Sequence, residues 1–194
     1  MDTSGFEHPI SAAMTMVGFR RPWCIAGGWA IDLWLGEVTR QHKDVEIAIL
    51  RDHQIELRDY CHGWKFRIAT MDKRLVAWKD TNRQMLMLPV HELHAADRAG
   101  RALEFLLNES DGIDWIYRRN FDVRMNLSHW ILKTHSGVPV LCPQIVLLYK
   151  SKNPRAEDEL DFRVAIERLT DDQRTWLKLA LMRVDESHPW LDLL

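Results

Sequence analysis

Residues 23–47 read WCIAGGWAIDLWLGEVTRQHKDVEI, and the order of elements in this stretch decides the fold. A short apolar run, residues 23–26, stops at Gly27-Gly28, as a buried strand does on meeting a tight turn. Residues 29–35 then resume helical spacing, and Gly36 suits the end of that helix. The following DVEIAIL, residues 44–50, alternates charged and apolar residues before becoming apolar throughout. That pattern predicts a strand with one polar face at its entrance.

Working outward, residues 8–17 place Ile10, Met14 and Val17 on one helical face, and residues 52–60 read as a helix. The middle of the chain carries strand signals in KFRIA, RLVAW, MLMLPV and RALEFLL, with WIYRR and WILK as two more. Helices interleaved with strands that cannot all be parallel predict an α+β fold, a mixed β-sheet with flanking helices. After Pro143 the strand signals stop. QIVLLYKSK, AEDELDFRVAIERL and DDQRTWLKLALMRV all have helical spacing, with Asp171 placed as an N-cap or first-turn acid. The expected division is a core over residues 1–139 and a C-terminal helical region over residues 140–194.

The 194 residues are 46% hydrophobic and 28% charged, enough for a sizeable core. Their 26 basic and 28 acidic residues nearly cancel, so nothing global points to nucleic acid or a membrane. Cys24, Cys61 and Cys142 are odd in number and widely spaced, which argues against a disulfide framework or a cysteine zinc site. With no signal-peptide pattern and no membrane-length apolar run, a cytoplasmic protein is expected.

Three features of the sequence carry chemistry. A strand–Gly-Gly–helix unit presents backbone N–H groups at a helix N-terminus, which favours phosphate oxygens, although Gly-Gly is also an ordinary turn. Asp44 and Glu46, two apart on a strand, project from one face. They repel unless compensated, and a Mg²⁺ ion bound to substrate phosphates would compensate them; a solvated edge strand is the alternative. Glu104, between Leu103 and Phe105, is a third acid facing away from its apolar neighbours, fit to bind metal, to act as a base, or simply to form the polar side of a strand. HELHAAD, residues 91–97, lacks the spacing of a zinc helix and reads as surface or pocket. Arg118 and Arg119 read as a solvated pair with phosphate binding as the alternative, and Trp78 or Trp115 as core or pocket wall.

Taken together, Gly27-Gly28, the following helix, TRxHxDxE at 39–46, a later acid, and a tail with LLYKxK and DxxDF resemble the DNA polymerase β-type nucleotidyltransferase superfamily. Within it the chain is similar to the lincosamide nucleotidyltransferases and 2″-aminoglycoside adenylyltransferases. The resemblance implies a mixed-sheet nucleotidyltransferase core and transfer of a nucleoside monophosphate, AMP from ATP in most cases, to a hydroxyl with release of pyrophosphate. It implies that Gly27 and Gly28 seat the triphosphate, with Arg40, His42 and Lys150 near the nucleotide. Asp44, Glu46 and Glu104 would then be catalytic acids and ligands of one or two Mg²⁺ ions. The chain departs from the family pattern in having Glu at 46, where Asp is common, and Glu157-Asp158 where the tail commonly has Lys-Asp. The implied acceptor is a small hydroxylated antibiotic; a protein or RNA acceptor, or a silent nucleotide-binding protein, are the alternatives.

Overall fold

The computed structural model describes residues 5–72, 74–79 and 84–194. The chain enters through α1 (Glu7–Met16), β1 (Trp23–Ile25), α2 (Gly27–Leu35) and β2 (Glu46–Leu50). A 3₁₀ turn (Arg51–His53) leads into α3 (Gln54–Tyr60), then β3 (Lys65–Ala69) and β4 (Leu75–Ala77). Next come β5 (Glu92–Ala96), β6 (Ala102–Ser110), β7 (Asp114–Ile116), β8 (Arg124–Asn126), β9 (Ile131–Lys133) and β10 (Pro139–Leu141). Three helices follow, α4 (Pro143–Lys150), α5 (Ala156–Ile166) and α6 (Asp171–Val184), and a last 3₁₀ turn (Pro189–Asp192).

The strands make the expected mixed sheet, in the order β4-β3-β5-β6-β2-β1-β10-β9, with β7 and β8 branching from β6. β2 is antiparallel to β1 and parallel to β6. Register sets the chemistry. Glu46 on β2 is level with Glu104 on β6, which is level with His94 on β5. Side chains level with one another on adjacent strands share a face, so one row of the sheet carries two acids and a histidine. The opposite face is apolar: Ile47, Ile49, Leu93, Phe105 and Leu107 are all buried.

The helices form near the predicted spans, but α1 buries a different face from the one its spacing suggests: Met14 and Val17 are exposed, and Pro9, Ala12, Ala13 and Met16 are buried instead. Gly36 closes α2 with a left-handed φ of 82° and donates its N–H to Asp32 O at 2.8 Å. Thr170 caps α6 in a reciprocal box with Gln173, and Asp171 sits in the first turn. α4 is buried nearly all round, from Pro143 to Leu148, because it packs against α2, α5 and α6. Trp190 anchors the C-terminal end by stacking on Phe162, centroids 4.0 Å apart. Among the described residues no helix is long and apolar enough to cross a membrane.

The strand reading needs correction at four places. MLMLPV is irregular: its Leu86 receives backbone partners from a side chain, Gln54, whose amide binds both Leu86 N (2.7 Å) and Leu86 O (3.1 Å). Pro89 also withholds an N–H from any ladder. Conversely, His91 to Asp97, read only as surface or pocket, contains β5, whose alanines and histidine are weak strand formers held by β3 on one side and β6 on the other. β8, residues Arg124–Asn126, holds no β-branched or aromatic residue, and β10 begins at Pro139, so neither carries a strand signal. Asp44 precedes β2, although the ladder reaches toward it through Glu104 N–H donating to Val45 O at 3.2 Å.

Candidate active site

Asp44, Glu46, Glu104, Gly27, Gly28, Arg40, His42 and Lys150 all line one cavity of about 730 Å³. The cavity opens over the polar row of the sheet, between the N-terminus of α2 and the helical tail. Ala26, the N-cap of α2, offers no side-chain cap, so the first N–H groups of that helix remain available to a ligand. A second cavity of about 290 Å³ lies beside the first, and Asp44 and Glu104 line both.

The two glycines have a reason beyond phosphate. Gly27 has φ +60°, and a Cβ there would collide with the Glu46 carboxylate. A Cβ on Gly28 would overlap Arg40 and His42. The bare backbone therefore makes room for the motif's own side chains. Gly27→Ala is expected to destabilise the fold by about 1–2 kcal/mol through the left-handed backbone. It should also lower the transfer rate about 10- to 100-fold by displacing Glu46. Steady-state kinetics beside a melting curve separate the two effects.

Arg40 and His42 are committed to protein partners. Arg40 forms a bidentate pair with Asp161, Nε to Oδ1 at 2.7 Å and Nη2 to Oδ2 at 2.8 Å. His42 Nε2 lies 2.6 Å from Asp32 Oδ2, and its ring packs on Trp29 at 4.3 Å. Thr39 donates to the other oxygen of Asp32 at 2.6 Å. Asp32 and Asp161 are both fully buried. The TRxH segment is thus fastened at three points, and its following residue but one, Asp44, is carried by that loop. Asp32 and Asp161 are structural partners that the motif reading missed as site residues; an acid within an apolar helix was the available signal.

Lys150 bridges Asp158 (2.7 Å) and Asp161 (2.9 Å), so the DxxDF tail holds one cation of its own helix region and one of the distant loop. Arg155 completes the network, with Asp158 at 3.0 Å and Glu157 at 3.1 Å. Burial alone would raise the Asp158 carboxyl, but hydrogen bonds from Arg155 and Lys150 outweigh it and bring it down from 3.8 to about 2. A carboxyl depressed on folding contributes stability that is complete above its unfolded value and is lost as pH falls through the folded one. Urea unfolding between pH 5 and pH 2 is expected to show that loss below about pH 4, and Asp158→Asn to remove Asp158's share of it.

The acids are compressed. Burial raises the Glu46 carboxyl, Lys150 opposes, and Glu92 and Asp44 add to the rise. Burial also raises Glu104, to about 7, against His94 and with Asp44, Glu92 and Glu46. His94 lies between two carboxylates, Nε2 2.7 Å from Glu92 Oε1 and Nδ1 3.3 Å from Glu104 Oε1. Among the described residues, Glu92, His94 and Glu104 are the trio whose ligand atoms already lie within 4.8 Å of one another. Asp44 and Glu46 line the larger cavity together with Glu92 and Glu104, and His94 lines the smaller one. Hard oxygen donors crowded until their ionisation is opposed fit a divalent cation. Glu92, absent from the sequence-derived site, was hidden in a segment not recognised as a strand.

Arg118 and Arg119, expected as a solvated pair, both line the cavity beside Tyr149, Arg118 half-buried and Arg119 exposed. Trp78 and Trp115 are core residues away from both cavities; the Trp115 indole donates to the buried Asn108 at 2.9 Å.

Among curated proteins none matches the chain by sequence. Solved structures share its fold. A lincosamide antibiotic adenylyltransferase, LnuA, bound to lincomycin, has a TM-score of 0.53 at 13% identity, over 80% of this chain and 92% of that one. The antibiotic-resistance factor ANT(2″)-Ia in solution gives 0.55 at 17% identity, over 100% and 97%. ANT(2″)-Ia in complex with adenylyl-2″-tobramycin gives 0.54 at 16% identity, over 91% and 97%. The sequence profile of the aminoglycoside-2″-adenylyltransferases matches residues 11–164, most of the chain. The chain therefore belongs to the aminoglycoside-2″-adenylyltransferase family and is a nucleotidyltransferase.

Proposed function

We propose that the protein transfers AMP from ATP, with Mg²⁺, to a hydroxyl of an aminoglycoside or lincosamide antibiotic and releases pyrophosphate. The observation that carries this reading is that Asp44 and Glu104 line both cavities. A donor phosphorus and an acceptor hydroxyl have to meet at such a shared wall. The ligands of the fold neighbours, lincomycin and adenylyl-2″-tobramycin, support an antibiotic acceptor.

In this reading Asp44, Glu46 and Glu104 would hold Mg²⁺, with Glu92 as a further oxygen donor. Bound there, the ion would offset charge on the phosphates and acidify a nearby hydroxyl. The protein's own contribution is alignment. The α2 N-terminus receives phosphate oxygens, and Gly27 and Gly28 let the motif side chains close against the backbone. Arg40 and His42 act by fixing the loop that presents Asp44. Lys150, held in place by Asp158 and Asp161, opposes the rise that burial imposes on the Glu46 carboxyl. Glu104, on the wall shared by the two cavities and 3.3 Å from His94 Nδ1, is suited to take the acceptor hydroxyl's proton, and His94 orients it. Displacement at the α-phosphorus breaks its bond to the bridging oxygen, and pyrophosphate leaves with that electron pair. The core of residues 1–139 would supply the acids, and the helical region of residues 140–194 the buttress for the loop.

The test is a transfer assay with Mg²⁺, each labelled nucleoside triphosphate, and a panel of aminoglycosides and lincosamides. Nucleotidylated antibiotic together with stoichiometric pyrophosphate is expected. Absence of product with every antibiotic, while a protein or RNA acceptor is labelled, would reject the acceptor assignment.

A further inference from the structure

Six Lys and Arg side chains line the larger cavity, and three of them are already neutralised. Arg40, Lys150 and Arg155 all pair with Glu157, Asp158 or Asp161. Among the described residues, Lys43, Arg118 and Arg119 have no carboxylate partner, and of these Lys43 is an exposed loop side chain.

Arg118 and Arg119 are differently placed. Their guanidinium carbons lie 5.2 and 5.4 Å from the centroid of the Tyr149 ring. Arg119 also donates to Tyr149 O at 3.0 Å and to the Tyr117 hydroxyl at 3.2 Å. Arg118 makes no hydrogen bond or ion pair among the described residues. The acid that its charge senses, Glu109, is taken up by Arg51, Nε to Oε1 at 2.7 Å and Nη2 to Oε1 at 2.6 Å. Packing on the half-buried Tyr149 ring removes rotamer freedom and aims the planar fork, while leaving the N–H groups of Arg118 unused. Burial pulls the Arg118 guanidinium below its ordinary value, a penalty that a bound anion would relieve.

We propose that Arg118 and Arg119 form an anion anchor that grips the phosphoryl oxygens of the nucleotide and of the departing pyrophosphate. The inference rests on the adenylyl-transfer reading and extends it to residues outside its motif. Aminoglycosides and lincosamides carry amines, so two uncompensated guanidiniums are poorly suited to them. The anions of that reaction are the triphosphate and pyrophosphate. A guanidinium fork matches the spacing of phosphate oxygens in a way that a lysine point charge does not.

Calorimetric titration of the full chain with ATP, and separately with pyrophosphate, tests this without any need for turnover. Arg118→Gln and the double variant with Arg119→Gln are expected to weaken both ligands about 10- to 100-fold. Affinity for the antibiotic should stay within twofold. Arg118→Lys, which keeps charge and most of the stem, should recover only part of the loss and guards against a variant that fails to fold. Unchanged affinity for both phosphate ligands in Arg118→Gln or Arg118→Lys would overturn the proposal. So would a loss confined to the antibiotic. If no acceptor is ever modified yet the arginine variants still lose pyrophosphate, the anchor stands and the acceptor assignment falls.

Discussion

Asp44→Asn is expected to lower the transfer rate about 10³-fold, the several kcal/mol that metal-assisted charge stabilisation supplies, while leaving the fold intact. Asp44 is exposed and makes no ion pair among the described residues, so its charge contributes little to stability. Its removal even relieves the neighbours, because Asp44 is among the charges that push Glu104 and Glu46 up. The melting temperature of the variant without Mg²⁺ should therefore equal or slightly exceed that of the wild type. Added Mg²⁺ and ATP should then raise the wild type and leave the variant almost unmoved, since only a species that binds the native state shifts its stability. Full activity in Asp44→Asn would remove this residue from the proposed metal site.

Asp161→Asn is expected to act in the opposite sense, on stability first. The side chain is fully buried and accepts from Arg40 and Lys150 together, and both cations are largely buried too. Removing one partner of a buried ion pair leaves uncompensated charge and costs about 3–5 kcal/mol. For a domain of this size that lowers the melting temperature by roughly 10 °C. Urea unfolding of Asp161→Asn, Arg40→Met and the double variant would measure the coupling; a double variant more stable than Asp161→Asn alone is the expected result. A loss below 1 kcal/mol would mean that the network does not fasten the loop. Activity should fall as well, because the loop that presents Asp44 loses its anchor.

The sequence was most legible where local chemistry and periodicity coincide. Gly27-Gly28 between an apolar run and an apolar helical segment identifies β1 and α2, and the alternation around Glu104 gives both its strand and its polar face. Every residue chosen for the site reaches one cavity because the motif is nearly contiguous and β6 lies next to β2. What escaped depends on register or on distant partners. Nothing near Glu92 or His94 says that β6 will be their neighbour. Arg40 and Asp161 are 121 residues apart, so a binding role for Arg40 and a structural one look alike until the pair is seen. Arg118 looks solvated in sequence because the ring beneath it, Tyr149, arrives from a helix.

The contact between Gly27 and Glu46 ties the two positions together. A side chain at 27 and the Glu46 carboxylate claim the same volume, so glycine at 27 is a condition of the longer acid at 46. Shortening the acid alone would not free position 27, because its φ of +60° still favours glycine. The reach of one side chain is set by the absence of another.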